Sequence, residues 1–300
     1  MLPFIIFGGG VVLLLIGADL LVRSASRIAK VLGISEFVIG VTVVAFGTSI
    51  PEVGTSVYSS LIGHPGIAYG NVIGSNVANI ALVLGIAALF GSFKIKKKDV
   101  SDIPIFLLAM VLTVIVAADQ RIHILEGLVL LAVYELYLMS ILRSNEKKIR
   151  SKAHNIDAKS LIFLVLSLYF IYYGARFAIE GALGISALFG ISESIIGFTL
   201  VALSTSLPEL ATSVIAVFKK EFGISIGNII GSNIFNSLVV LGLSSIVTTL
   251  TLTLSDLMFQ VPAMIILSLY FAYRAKNLKL TKLDGIIFLA AYVLIMFTLL

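Results

Sequence analysis

The chain has no cysteine and no tryptophan, and its 300 residues include only three histidines. Without thiols, a disulfide framework and thiolate metal or redox chemistry are excluded. His64, His123 and His154 fall in expected loops between apolar runs, which argues against haem or histidine-ligated zinc. Charge is scarce as well. Only 12% of residues are Asp, Glu, Lys or Arg, where soluble domains carry about one quarter. Apolar residues make up 59% of the chain, and mean hydropathy is +1.12. The basic residues sit between apolar runs rather than along one polar face. The pI of 9.3 therefore reflects charge flanking membrane spans, not a nucleic-acid surface.

A run of about 20 apolar residues crosses the hydrocarbon core. Ten segments meet that measure: 3–22, 37–62, 66–91, 103–118, 123–142, 160–179, 194–218, 223–250, 257–273 and 283–300. The first has no basic leader and is followed by Arg23, Arg27 and Lys30, so it reads as an uncleaved span rather than a secretory signal. Loops after the first, third, fifth, seventh and ninth spans hold 3, 4, 6, 2 and 4 of the 21 Lys and Arg. The opposite side holds only Arg121 and Arg176. This asymmetry predicts a multi-pass cell-membrane protein with the basic loops in the cytoplasm and both termini outside.

Residues 40–87 align with 197–244 at a constant offset of 157, without a gap, and share 23 of 48 positions. "GVTVVAFGTSIPEVGTSV" matches "GFTLVALSTSLPELATSV", and "GNVIGSNVAN" matches "GNIIGSNIFN". The offset also relates "GISE" at 33–36 to 190–193. Each half thus carries five spans, and an odd number makes the second half enter the membrane from the other side. The predicted fold is an all-α polytopic membrane protein of ten transmembrane helices in two inverted repeats of five. Residues 1–142 and 160–300 form the repeats, and the basic stretch 143–159 is a cytoplasmic linker. Secondary transporters share this architecture, with a site near the midplane where the repeats meet.

Glu52 and Glu209 lie at the centres of their spans, where an acid costs roughly 2.5–3.5 kcal/mol on insertion scales. No Lys or Arg shares that depth, so the countercharge is a proton or a bound cation. Pro51 and Pro208 each remove a main-chain donor and release the carbonyl four residues back, at Gly47 and Ser204. Freed carbonyls persist at membrane depth only where they line a cavity or bind something. Thr48 stands four residues before Glu52, and Thr205 four before Glu209. Asn71, Ser75 and Asn79, mirrored by Asn228, Ser232 and Asn236, form a second polar face. Gly70/Gly74 and Gly227/Gly231 are spaced for close helix packing. A donor set made entirely of oxygen suits hard cations, and two carboxylates with flexible geometry suit Ca²⁺. A charge of −2 balances one Ca²⁺ or two monovalent ions.

The paired "G-T-S-x-P-E" and "G-N-x-x-G-S-N" stretches closely resemble the repeats of the calcium/cation antiporter superfamily, in particular its prokaryotic sodium/calcium exchangers. The resemblance covers essentially the whole chain. It implies a calcium site of Glu52, Glu209, Thr48 and Thr205, and sodium sites using Ser75, Ser232 and the carbonyls of Ala45 and Ala202. The midplane amide carries over as Asn79. Two positions depart from the family pattern: Ser204 replaces a Gly, and Asn236 stands where these exchangers often have Asp. The reading that follows is Na⁺/Ca²⁺ antiport by alternating access, with spans 1 and 6 as the sliding gate. It needs no cofactor, nucleic acid or obligate protein partner; the ions and the lipid bilayer suffice. A proton/calcium exchanger is the alternative, since paired carboxylates can carry protons. A cation channel selected by a ring of acids is a third reading. A membrane enzyme lacks support: there is no HExxH and no pair of midspan aspartates.

Overall fold

The computed structural model describes residues 2–91, 93–152, 156–188, 193–252 and 260–299. The side chains of 193–204 lie outside the described set, as does all of His154. Helices dominate because long apolar runs in lipid must satisfy every backbone group internally. They are α1 (Leu2–Leu32), α2 (Glu36–Thr48), α3 (Ile50–Leu61), α4 (Pro65–Phe90), α5 (Ile103–Val116) and α6 (Ile124–Lys152) in the first half. The second half holds α7 (Ala158–Leu188), α8 (Glu193–Phe218), α9 (Phe222–Val247), α10 (Gln260–Lys276) and α11 (Lys282–Leu299). Each expected span falls on helix where it is described, residues 257–259 and 300 lying outside the described set, with α2 and α3 sharing one span that bends by 43°. Not all reach the full membrane thickness. The 14 residues of α5 rise only about 21 Å at 1.5 Å each.

Two corrections concern helix ends and breaks. The linker expected at 143–159 is not all loop, because α6 continues to Lys152. Its sequence "RSNEKKIRSK" is rich in helix formers and contains no Gly or Pro. An Arg150–Glu146 pair four residues apart adds support. The two proline motifs also differ. In the first repeat the helix breaks at Ser49 (φ −92°, ψ 10°), leaving Pro51 in the first turn of α3. In the second, α8 stays helical through Pro208. Ser204 is a better helix former than its counterpart Gly47, so the loss of one hydrogen bond at Pro208 does not end the helix.

The repeat offset reappears in the smallest elements. Strand β1 (Phe93–Lys94) pairs antiparallel with β4 (Lys279–Leu280), and β2 (Arg121–Ile122) with β3 (Leu250–Thr251). Adding 157 carries β1 onto β3 and brings β2 within one residue of β4. Gly63 and Lys220, also 157 apart, both take left-handed φ, at +85° and +61°. One π-helical turn covers Asn79–Val83 inside α4 and another covers Asn236–Val240 inside α9. Such turns concentrate at functional sites.

The apolar core has two parts. The larger joins α4, α5, α9, α10 and α11. The smaller holds α1 and α7 together and against parts of α2, α8 and α9. The α1–α7 contact depends on glycine: a Cβ on Gly174 would lie 2.4 Å from the Leu14 nitrogen, and one on Gly10 2.3 Å from that of Ala178. The backbones therefore touch at these positions.

Candidate cation-binding site

Helices α2 and α9 cross at closest approach on the glycines of "GNIIGSN". A Cβ on Gly227 would meet the Phe37 carbonyl at 2.6 Å, and one on Gly231 the Val41 carbonyl at 2.6 Å. This contact sets the polar face of α9 against the break between α2 and α3. Of the mirror pair, Gly70 has nothing within 4 Å of an added Cβ among the described residues.

Both glutamates are completely buried, as are Thr48, Ser75, Ser232, Asn79 and Asn236, and Thr205 is 5% exposed. Glu209 is held across the repeats: Ser49 Oγ donates to its Oε1 at 2.9 Å, and Ser232 Oγ to the same oxygen at 3.3 Å. Among the described residues, its Oε2 and both carboxylate oxygens of Glu52 have no hydrogen-bond partner. Among the described residues every Lys or Arg ion pair lies elsewhere, at Asp19, Glu146, Asp157, Glu221 or Asp284. Buried charge ordinarily finds a partner. Here the protein supplies none.

Thr48 Oγ1 donates toward Asn228 Oδ1 at 3.0 Å and lies 3.3 Å from the Ala45 carbonyl and 3.5 Å from Ser232 Oγ. Thr205 Oγ1 is 3.0 Å from Ser75 Oγ and donates toward Asn71 Oδ1 at 3.3 Å. The amides of Asn79 and Asn236 are buried with both nitrogen and oxygen unpartnered, and each opens one of the π-helical turns. Ser49, Thr48, Ser232, Ala45 and Glu209 thus form one connected set, and Thr205, Ser75 and Asn71 another. The side chains of Glu52, Asn79 and Asn236 are buried and, among the described residues, bonded to neither. Ala202 lies in the helical part of α8 whose side chains are outside the described residues.

Three features escaped the sequence reading. Ser49 stands inside the "GTSIPE" motif but went unassigned, though Ser206 repeats it at the same offset. Ser56 and Ser213 lie one helical turn beyond Glu52 and Glu209 and bond the Asn71 and Asn228 amides at 2.9 and 3.2 Å. Their regular spacing was the available signal. A hydrolase-like "GISIG" also occurs at 223–227. Its Ser225 is buried and unpartnered at the start of α9, and Gly227 serves the helix crossing.

No group of three or more His, Asp and Glu occurs among the described residues. The site is two carboxylates with hydroxyls, amide oxygens and carbonyls, a hard-cation donor set.

Comparison with known proteins bears on the whole chain. The family model described as sodium/calcium exchanger protein matches residues 2–143 and 159–300. An uncharacterized membrane protein of Methanocaldococcus jannaschii is 36% identical, covering 95% of this chain and 94% of its own. The sodium/calcium exchanger MaX1 of Methanosarcina acetivorans is 34% identical, covering 97% and 96%. The fold is similar to the solved sodium-calcium exchanger NCX_Mj soaked with zero Na⁺ and Ca²⁺, with TM-score 0.88 and 34% identity over 100% of this chain and 99% of that one.

Proposed function

The chain belongs to the sodium/calcium exchanger family, and from that premise we propose that it carries Ca²⁺ against Na⁺ by alternating access. The observation that carries the reading is the pair of fully buried glutamates which, among the described residues, have three of four carboxylate oxygens unpartnered and no ion pair to a basic residue. One Ca²⁺ or two Na⁺ cancel the −2 charge, so ions of either kind can occupy the site in turn but not together. Calcium is held by Glu52, Glu209, Thr48 and Thr205. Sodium draws on Ser75, Ser232 and the carbonyls of Ala45 and Ala202, with the amides of Asn79 and Asn236 at the centre. An empty site leaves two uncompensated carboxylates in a low-dielectric interior, which is costly. That cost opposes a switch without cargo and couples the two fluxes. Helices α1 and α7, joined through glycines, slide as the gate. Both termini face outside and residues 143–159 face the cytoplasm, with calcium extruded as sodium runs inward.

Radioactive calcium uptake into proteoliposomes tests the counter-ion. Sodium-loaded vesicles diluted into sodium-free buffer are expected to take up calcium, and vesicles with only a pH gradient are not. Uptake driven by the pH gradient alone would favour the proton/calcium reading.

A further inference from the structure

The site threonines are each tied to the opposite repeat. Thr48 donates toward Asn228 Oδ1 at 3.0 Å, and Thr205 toward Asn71 Oδ1 at 3.3 Å. Each asparagine is fixed in turn by its own repeat: Asn228 Nδ2 donates to Ser213 Oγ at 3.2 Å and Asn71 Nδ2 to Ser56 Oγ at 2.9 Å. The offset of 157 relates every member of one chain to a member of the other. Asn71 Nδ2 also reaches the Glu52 carbonyl at 3.5 Å, an acceptor only, which fixes which end of the amide is nitrogen. Both asparagines are buried, at 4% and 0% exposure.

We infer that Asn71 and Asn228 are positioning residues that orient the hydroxyl of the opposite repeat's site threonine so its lone pairs face the ion. A threonine hydroxyl has one proton and two lone pairs, and only the lone pairs can bind a cation. With the proton on Asn228 Oδ1, the lone pairs of Thr48 stay available. So does the Ala45 carbonyl, the next acceptor at 3.3 Å. Without Asn228, the proton turns onto Ala45, which occupies one lone pair of that carbonyl and re-aims those of Thr48. The relay also couples the repeats, because a shift of α9 against α2 changes the Thr48–Asn228 contact directly. This inference rests on the proposed role of Thr48 and Thr205 as ion ligands.

The test measures the half-saturating calcium concentration for sodium-driven exchange in Thr48→Val, Asn228→Ala and Asn71→Ala, and in Thr48→Val combined with each asparagine variant. Each single change is expected to raise it about three- to tenfold, the loss of one ordinary hydrogen bond. In the Thr48→Val background Asn228→Ala should add less than about twofold, because the hydroxyl it orients is gone, while Asn71→Ala keeps its full effect. A purely structural role would lower the thermal midpoint and the exchange rate equally in both backgrounds. An Asn228→Ala effect of the same factor with and without the Thr48 hydroxyl would overturn the inference while leaving the exchanger reading intact. Wild-type vesicles that show no sodium-driven exchange would overturn both. If the asparagine variants fail to fold, Ser213→Ala and Ser56→Ala replace them. Their expected effects are smaller, about two- to fivefold, and their dependence on the Thr48 hydroxyl decides the question in the same way.

Discussion

At the residue scale the two glutamates are equivalent in sequence and unequal in structure. Glu209 accepts from Ser49 and Ser232 through one oxygen, and Glu52 accepts from no side chain. The internal repeat made both acids legible as a pair, because each sits at the centre of an apolar span with no basic neighbour. The asymmetry was not legible. It accompanies a helix that breaks at Ser49 where its counterpart runs on through Pro208, a difference in helix propensity that begins at Gly47 and Ser204. The serines carry a prediction at this scale. Ser232→Ala removes a hydroxyl that bonds Glu209 and approaches Thr48, and Ser75→Ala removes one beside Thr205. Either change should raise the half-saturating sodium concentration for calcium efflux by about three- to tenfold. Calcium half-saturation without sodium should move much less. Equal shifts for both ions would remove the serines from the sodium sites.

Between elements, glycine decides which helices touch. Span positions and the polar stripe on α4 and α9 followed from hydropathy and spacing of four. The π-helical turns at Asn79 and Asn236 did not, since local sequence does not distinguish a fifth-residue hydrogen bond from a fourth. The α1–α7 contact was not legible, although Gly17 and Gly174 match at the same offset of 157. The contact is tight, because a Cβ on Gly174 would press on the Leu14 backbone at 2.4 Å. Gly174→Ala should therefore push the two helices apart and cost about 1–3 kcal/mol. Gly54→Ala is the control: nothing lies within 4 Å of its added Cβ, and its α3 position should gain up to about 1 kcal/mol from helix propensity. Thermal midpoints in detergent check both. A tolerated Gly174→Ala with wild-type exchange would show that close backbone contact is not needed for the gate.

For the whole molecule, the inverted architecture is written twice over. Five spans per repeat imply inversion, and the crossed pairing of β1 with β4 and β2 with β3 repeats the same pseudo-twofold relation. The proposed membrane orientation rests on the 21 basic residues, of which it leaves only Arg121 and Arg176 on the far side. The absence of cysteine makes this easy to check. An impermeant thiol reagent applied to intact cells should label Leu2→Cys and leave Lys148→Cys unmodified. The reverse pattern would invert the topology and the expected direction of calcium movement.

The central claim is that the two buried carboxylates are the charge that calcium and sodium share. Calcium uptake into sodium-loaded proteoliposomes, compared among wild type, Glu52→Gln and Glu209→Gln, tests it most directly. Either amide leaves a single formal charge to face a divalent ion where water cannot screen the deficit. Both variants should insert and purify like wild type yet lose sodium-driven calcium uptake to the level of empty vesicles. Uptake near the wild-type rate in either variant would contradict the account.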